Sequence, residues 1–259
     1  MNFLQISLLA FAAIMLMMTI LWLVSIRIKN VSIVDIFWGF GFVVAGVIYF
    51  LFTGGFETRK ILLTIMVAIW GLRLSIYLAW RNIGKAEDFR YQKFRKDFGE
   101  DRYWWYSFFS VFLLQGFLMW LISAPLLGAQ FYPDDSLGIL DFIGIAIWTI
   151  GFIFEAGGDM QLARFKANPA NKGKVLNTGF WHYTRHPNYF GDAAVWLGYA
   201  LICISAGSYI PVLGSVLMTA LIIKVSGVAL LEKTLNTSKP GYQEYVRKTS
   251  AFIPWFPKK

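Results

Sequence analysis

The sequence predicts an all-α fold, a polytopic membrane protein with seven transmembrane helices. Three observations carry that prediction. Of 259 residues, 57% are hydrophobic and only 15% charged, against roughly a quarter charged in a typical soluble domain. Seven apolar runs reach, or come close to, the roughly 20 residues a bilayer crossing needs: 3–26, 31–52, 61–80, 105–128, 137–157, 189–207 and 209–231. The basic residues between those runs fall on alternate sides.

Residues 3–26 are too long for the core of a secretory leader and lack a basic start and a small-residue cleavage site, so they read as a retained first helix. Arg27 and Lys29 follow it on one side. Most of the remaining Lys and Arg lie in 81–102, 164–185 and 233–259, which fall on that same side, while the opposite loops hold only Arg59 and Lys60. The positive-inside rule then puts the N-terminus outside and the C-terminus in the cytoplasm. This sorting explains the net charge of +9 as orientation plus attraction to membrane lipid headgroups, and leaves no call for nucleic acid as a partner.

Two inside segments are long and structured. Residues 81–104 mix charges with aromatics and read as one or two interfacial helices, with Trp104, Trp105 and Tyr106 anchoring at headgroup level. Residues 158–188 begin as a continuation of the fifth helix. Asn168-Pro169 and Asn171-Lys172-Gly173 break it, 177–179 make a turn, and Pro187 starts the sixth helix. From Glu232 the tail reads as amphipathic. The whole is expected to be one membrane domain, 1–259, with helices one to four in 1–128 and helices five to seven in 137–259.

Polar groups inside apolar spans are costly and mark cavities or helix contacts. Asp35 opens helix two. Arg73 and Tyr77 lie one turn apart on helix three. Glu155, Asp159 and Lys166 form one stripe, because offsets of 4 and 11 residues return to nearly the same face. Asn188, Asp192 and Trp196 step along helix six by single turns, beside Arg185 and His186. Lys224 lies on helix seven.

Several chemistries are excluded. Gly39-Phe40-Gly41 imitates a dinucleotide fingerprint, but it sits in an apolar helix with no strand before it and reads as close helix packing. His182 and His186 have helical metal-ligand spacing, yet Pro187 disfavours a helical His186 and no third ligand follows, so no metal is expected. The single cysteine, Cys203, permits no internal disulfide and reads as a small buried thiol.

Residues 177–199, NTGFWHYTRHPNYFGDAAVWLGY, resemble the signature shared by membrane steroid 5α-reductases, sterol reductases and isoprenylcysteine carboxyl methyltransferases. Gly179, Tyr183, Arg185-His186-Pro187, Asn188-Tyr189 and Gly191-Asp192 carry the resemblance, and 158–169 with 241–255 extend it over roughly residues 140–259. Within that superfamily the chain is most similar to the bacterial branch grouped with steroid 5α-reductases. The resemblance implies a cytoplasm-facing cofactor cavity at the inner membrane, formed by the C-terminal half. The cofactor is NADPH in the reductases and S-adenosylmethionine in the methyltransferases.

For NADPH the resemblance places basic residues at Lys166 and Lys224, an acid at Asp159, and Asn188 with the later acid Asp192. Phosphates need charge and donors in a partly dry site. Lys166, Arg185 and Lys224 fit that need, Asp159 fits a ribose hydroxyl, Asn188 fits the nicotinamide carboxamide, and Tyr183 and Tyr189 fit the cofactor's flanks. Arg73, Arg164, Asn168 and His186 complete the expected set. In the reductases a glutamate of helix two and a tyrosine of helix three polarise the substrate carbonyl. Here Asp35 and Tyr77 are the candidates, and Trp70 stands at the tyrosine's own place. The expected activity is NADPH-dependent reduction of an activated double bond in a lipid-like substrate, by a monomer. The alternative is methyl transfer from S-adenosylmethionine to a membrane lipid or prenylated thiol.

Overall fold

A computed structural model describes residues 1–133, 136–226 and 241–258. Among the described residues every regular element is helical, and the one β-bridge is isolated, between Thr184 and Ser250. Among the described residues, four helical stretches are long and apolar enough to cross a membrane: Phe3–Ile28, Glu57–Asn82, Glu100–Phe131 and Ile139–Ala167. Two apolar helices, Trp38–Phe52 and Ile210–Lys224, are shorter. The chain divides into two compact units, Met1–Leu137 with Ala206–Gly214, and Gly138–Ser205 with Ser215–Lys259.

The first unit starts with α1 (Phe3–Ile28), whose Asn2 and Gln5 form a reciprocal capping box. Ile6, Ala10, Ile14, Met18, Leu21 and Ser25 are buried along one face, while Leu4, Leu8, Leu16, Ile20 and Leu23 on the others are exposed. Apolar side chains on both faces belong to a helix whose outer solvent is lipid. The expected span 31–52 is not one helix. It comprises a single turn, α2 (Ile33–Ile36), then Phe37 at ψ 4°, then α3 (Trp38–Phe52). Asp35 therefore sits on α2, before the apolar helix rather than at its opening.

Helix α3 packs on α4 (Glu57–Asn82) through glycines. A Cβ on Gly39 would lie 2.3 Å from the Gly71 carbonyl oxygen of α4, while one on Gly41 would meet a different neighbour, 1.9 Å from Met119 Sδ. Gly39 and Gly41 thus allow close packing, as the sequence predicts. Trp70 is fully buried on α4, its ring 5.7 Å from Phe42, and works as packing.

Residues 81–104 contain two helices, α5 (Phe89–Phe98) and the first part of α6 (Glu100–Ser107), separated at Gly99, whose φ of 86° suits glycine. A π segment, Phe108–Leu113, leads into α7 (Leu114–Ile122) and α8 (Ala124–Phe131).

In the second unit α9 (Ile139–Ala167) runs through to Ala167 and stops before Asn168-Pro169. After α10 (Phe180–Tyr183), Pro187 begins α11 (Pro187–Ser205). Both boundaries agree with the sequence reading. Helices α9 and α11 meet along glycines seven residues apart: Gly144, Gly151 and Gly158 on α9, Gly191 and Gly198 on α11. A Cβ on Gly151 would lie 2.6 Å from the Gly191 oxygen, and one on Gly198 2.7 Å from the Gly144 oxygen. Small residues let the backbones touch. Helix α12 (Leu213–Leu221) passes into a π segment, Ile222–Ser226, that carries Lys224, and α13 (Tyr242–Lys248) closes the chain. Asp134, Asp135 and Glu232 lie outside the described residues.

Candidate active site

The glycine seam sets the depth of the polar stripe on α9. Glu155 and Asp159 are buried, at 3% and 6% exposure, because Gly191 lets α11 approach the Glu155 backbone and Gly158 lets in Pro187 and Asn188. Asn188 Nδ2 donates to Asp159 Oδ1 at 3.2 Å. Lys166, two turns beyond Asp159, is exposed and lines a cavity of about 240 Å³ with Asn168, Asn171 and Lys172.

The loop before α11 folds down on α9. Trp181 Nε1 donates to the Gly158 oxygen at 3.1 Å, and Phe180 N donates to Gln161 Oε1 at 3.0 Å. Gly179, at φ 61°, stands against the Gln161 side chain. A second cavity of about 450 Å³ is lined by Lys174, Asn177, His182, Glu244, Lys248 and Thr249, among others.

The structure brings Asp159 and Asn188 together, and Lys166 stands apart, two turns further along α9. Other expected residues stand elsewhere. Arg185 is buried, and its Nη1 donates to the Val246 and Thr249 carbonyls at 2.9 and 2.7 Å, so its charge tends the C-terminal end of α13. His186 is buried and stacked on Tyr189, ring centroids 5.7 Å apart. Tyr183 is exposed, with its ring edge to Phe256. Asn168 caps a short 3₁₀ turn by accepting from Ala170 N, and Arg164 is exposed. Asp192 is half-buried on α11, and Lys224 is exposed next to residues outside the description.

In the first unit, Arg73 is half-buried on α4, and Tyr77 lies against Trp80 and under the Arg81 guanidinium. The tyrosine that touches Asp35 is Tyr91, on α5. Tyr91 Oη donates to Asp35 Oδ1 at 2.7 Å and accepts from Gln115 Nε2 at 3.1 Å. Arg90 Nη2 holds Asp35 Oδ2 at 2.8 Å and also bonds Asp88. Burial, and then the Asp35 charge, push the Tyr91 hydroxyl well above its usual value, so it stays protonated and donates. Burial tends to raise Asp88, but hydrogen bonds from the Arg90 side chain and amide outweigh it and hold the carboxyl below the usual range. Tyr91, Arg90 and Gln115 were not among the expected residues. Gln115 carried a signal: it is a polar residue in the apolar run 108–122, the criterion that singles out Asp35 and Arg73. Tyr91 carried none, because only the tertiary fold brings it to Asp35.

The match to the family described as "Protein of unknown function (DUF1295)" runs over residues 21–249. The chain belongs to this family. It is 25% identical to an uncharacterized protein of Schizosaccharomyces pombe, over 91% of this chain and 76% of that one. It is 31% identical to 3-oxo-5-alpha-steroid 4-dehydrogenase 1 of Bos taurus, over 37% of this chain and 38% of the relative. It is 29% identical to a Delta(14)-sterol reductase of Mus musculus, over 37% of this chain and 27% of the relative. The chain thus spans well under half the length of those two enzymes. No solved structure matches. The family relationship bears out the steroid-reductase-like resemblance of residues 177–199.

Proposed function

We propose that the chain is an integral membrane reductase that uses NADPH to reduce a carbon–carbon double bond conjugated to a carbonyl, in a lipid or steroid-like substrate. The observation that carries this reading is the Asp159–Asn188 pair, seated where Gly158 admits the start of α11. The same unit carries positive charge that suits a polyanionic dinucleotide. Three lysines, Lys166, Lys172 and Lys174, line the two cavities of the same unit. A cationic cofactor such as S-adenosylmethionine has no use for that charge. Asp159 would take a ribose hydroxyl, Asn188 the carboxamide, and Lys166 and its neighbours the phosphates. When bound, the cofactor supplies a hydride.

We assign the acid function to the cluster of Asp35, Tyr91 and Gln115. Reduction adds a hydride to the β carbon and, through an enolate, a proton taken from water to the α carbon. The Tyr91 hydroxyl, kept protonated and held ready between Asp35 and Gln115, would turn its one proton from Asp35 Oδ1 to the carbonyl oxygen where that negative charge develops. Tyr91 takes the part assigned to Tyr77 on the sequence, and Asp35 keeps its own. The distribution of basic loops supports a cofactor site facing the cytoplasm.

The test is isotope transfer. Purified protein in lipid nanodiscs is given NADPH deuterated at C4, in separate preparations for each face, with a membrane lipid extract. The proposal expects one deuterium to enter a lipid from one face only. Labelled methyl transfer from S-adenosylmethionine, with no deuterium uptake, would overturn it.

A further inference from the structure

The end of the chain leaves three large apolar side chains in the open: Ile253, Trp255 and Phe256 are 66%, 71% and 75% exposed. A single exposed aromatic needs no explanation, but three such side chains within four residues do. The backbone that carries them is held at each step. Thr184 Oγ1 donates to the Phe252 oxygen at 2.8 Å, Trp255 N to the Tyr183 oxygen at 2.9 Å, and Lys258 N to the Lys248 oxygen at 2.9 Å. Pro254 and Pro257 fix φ on either side of the aromatic pair. The segment is therefore preorganised, and its side chains project from a fixed frame.

Its level relative to the bilayer can be read within the second unit. Phe252 packs edge-on against Phe190 of α11, and Phe190 against Phe154 of α9. Around Phe154, α9 exposes Ile150, Ile153 and Met160, side chains suited to lipid. Two to three turns later the same helix exposes Arg164 and Lys166. The tail thus sits where the apolar length of α9 gives way to its charged end. Lys248 and Lys258 flank it, both exposed. Aromatic and aliphatic side chains beside lysines, at the end of a spanning helix, match the headgroup layer, apolar below and anionic above.

We propose that Ile253, Trp255 and Phe256 form a wedge that beds into the anionic headgroup layer of the bilayer crossed by α9, and so fixes the loop Tyr183–Arg185 at the membrane surface. The occupant is lipid, recognised by apolar insertion and by phosphate contacts to Lys248 and Lys258. This inference stands independently of the reductase reading, because it invokes no cofactor.

The test places a reporter at the tail. Cys203 is buried, so a thiol-directed fluorophore on Ala251→Cys, at an exposed position two residues before the wedge, reports the tail alone. The protein is reconstituted in nanodiscs of phosphatidylcholine alone or mixed with phosphatidylglycerol. The proposal expects strong quenching by lipids spin-labelled near the headgroup and weak quenching by aqueous iodide. Lipid quenching is expected to be lost in the added double variant Trp255→Ser, Phe256→Ser. It is expected to fall in Lys248→Glu, Lys258→Glu only where phosphatidylglycerol is present. Iodide quenching without lipid quenching would show a tail in water. Shielding from both would show a protein occupant, another copy included. Either result overturns the proposal.

Discussion

Replacing Gly191 with alanine puts a methyl group into the tightest part of the α9–α11 seam. The new Cβ would lie 2.3 Å from Glu155 N, 2.5 Å from the Gly151 oxygen and 2.7 Å from Glu155 Cβ. None of these atoms can swing away by changing a rotamer, since two are backbone and the third is a Cβ. Ordinary contact begins near 3.4 Å, so the two helices must part by roughly 1 Å along a close-packed interface. Overpacking costs about 1–3 kcal/mol where side chains can give. A clash with backbone belongs at the upper end, about 3 kcal/mol. For a chain of this size that is a loss of roughly 6–12 °C in Tm. The assay is thermal unfolding of purified protein, followed by intrinsic fluorescence, with Gly54→Ala alongside. Gly54 has nothing within 4 Å of its would-be Cβ, so that variant should melt within about 2 °C of wild type. If Gly191→Ala melts with wild type, the seam does not set the spacing of these helices, and the depth argued for Asp159 and Asn188 fails with it.

Arg185→Ala removes a charged donor from two carbonyls at the end of α13 and should cost about 2–3 kcal/mol locally, read as faster hydrogen exchange over 241–250. Arg185→Lys should recover only part, because an ammonium cannot reproduce the guanidinium fork. Unchanged exchange in Arg185→Ala would rule out the capping role. Tyr91→Phe removes one hydroxyl and should lower kcat by about 10- to 1,000-fold with nucleotide affinity unchanged. Equal turnover by Tyr91→Phe would remove Tyr91 from the chemistry. Asp88 predicts an acid response. Its folded pKa lies below the unfolded value, so its contribution is present above about pH 4 and lost as pH falls through the folded pKa. The protection of the Phe89–Phe98 amides, taken relative to their intrinsic exchange rates, should therefore fall in acid, and Asp88→Asn should show a smaller fall over that window.

The parts of the fold that were legible rest on local chemistry. The run of α9 to Ala167 ends where Asn168-Pro169 cannot continue a helix, and Pro187 suits a first helical position. The glycines at 39 and 41 stood out because an apolar helix gains from small residues only at a contact. The break at Phe37 was hidden, because 31–52 reads as one apolar run around Asp35 and holds no proline to announce it. At the site, the stripe Glu155–Asp159 follows from helical geometry, and its buried face is the one that meets Asn188. Arg185 was not legible in the same way. Its five donors suit phosphate and carbonyl oxygens alike, and only the fold decides between them. Tyr91 and Asp35 lie 56 residues apart, on elements whose pairing no periodicity reports.

The central claim is that Asn188, paired with Asp159, holds a nicotinamide dinucleotide. The direct measurement is the melting temperature of wild type and Asn188→Ala during titration with NADPH, NADH and S-adenosylmethionine. A ligand that binds only the folded state stabilises by about 2.7 kcal/mol at 100 times its Kd. Wild type should rise with NADPH and not with S-adenosylmethionine, and Asn188→Ala should start near the wild-type Tm and lose most of the NADPH response. A rise with S-adenosylmethionine alone, or an Asn188→Ala response equal to that of wild type, would contradict the account.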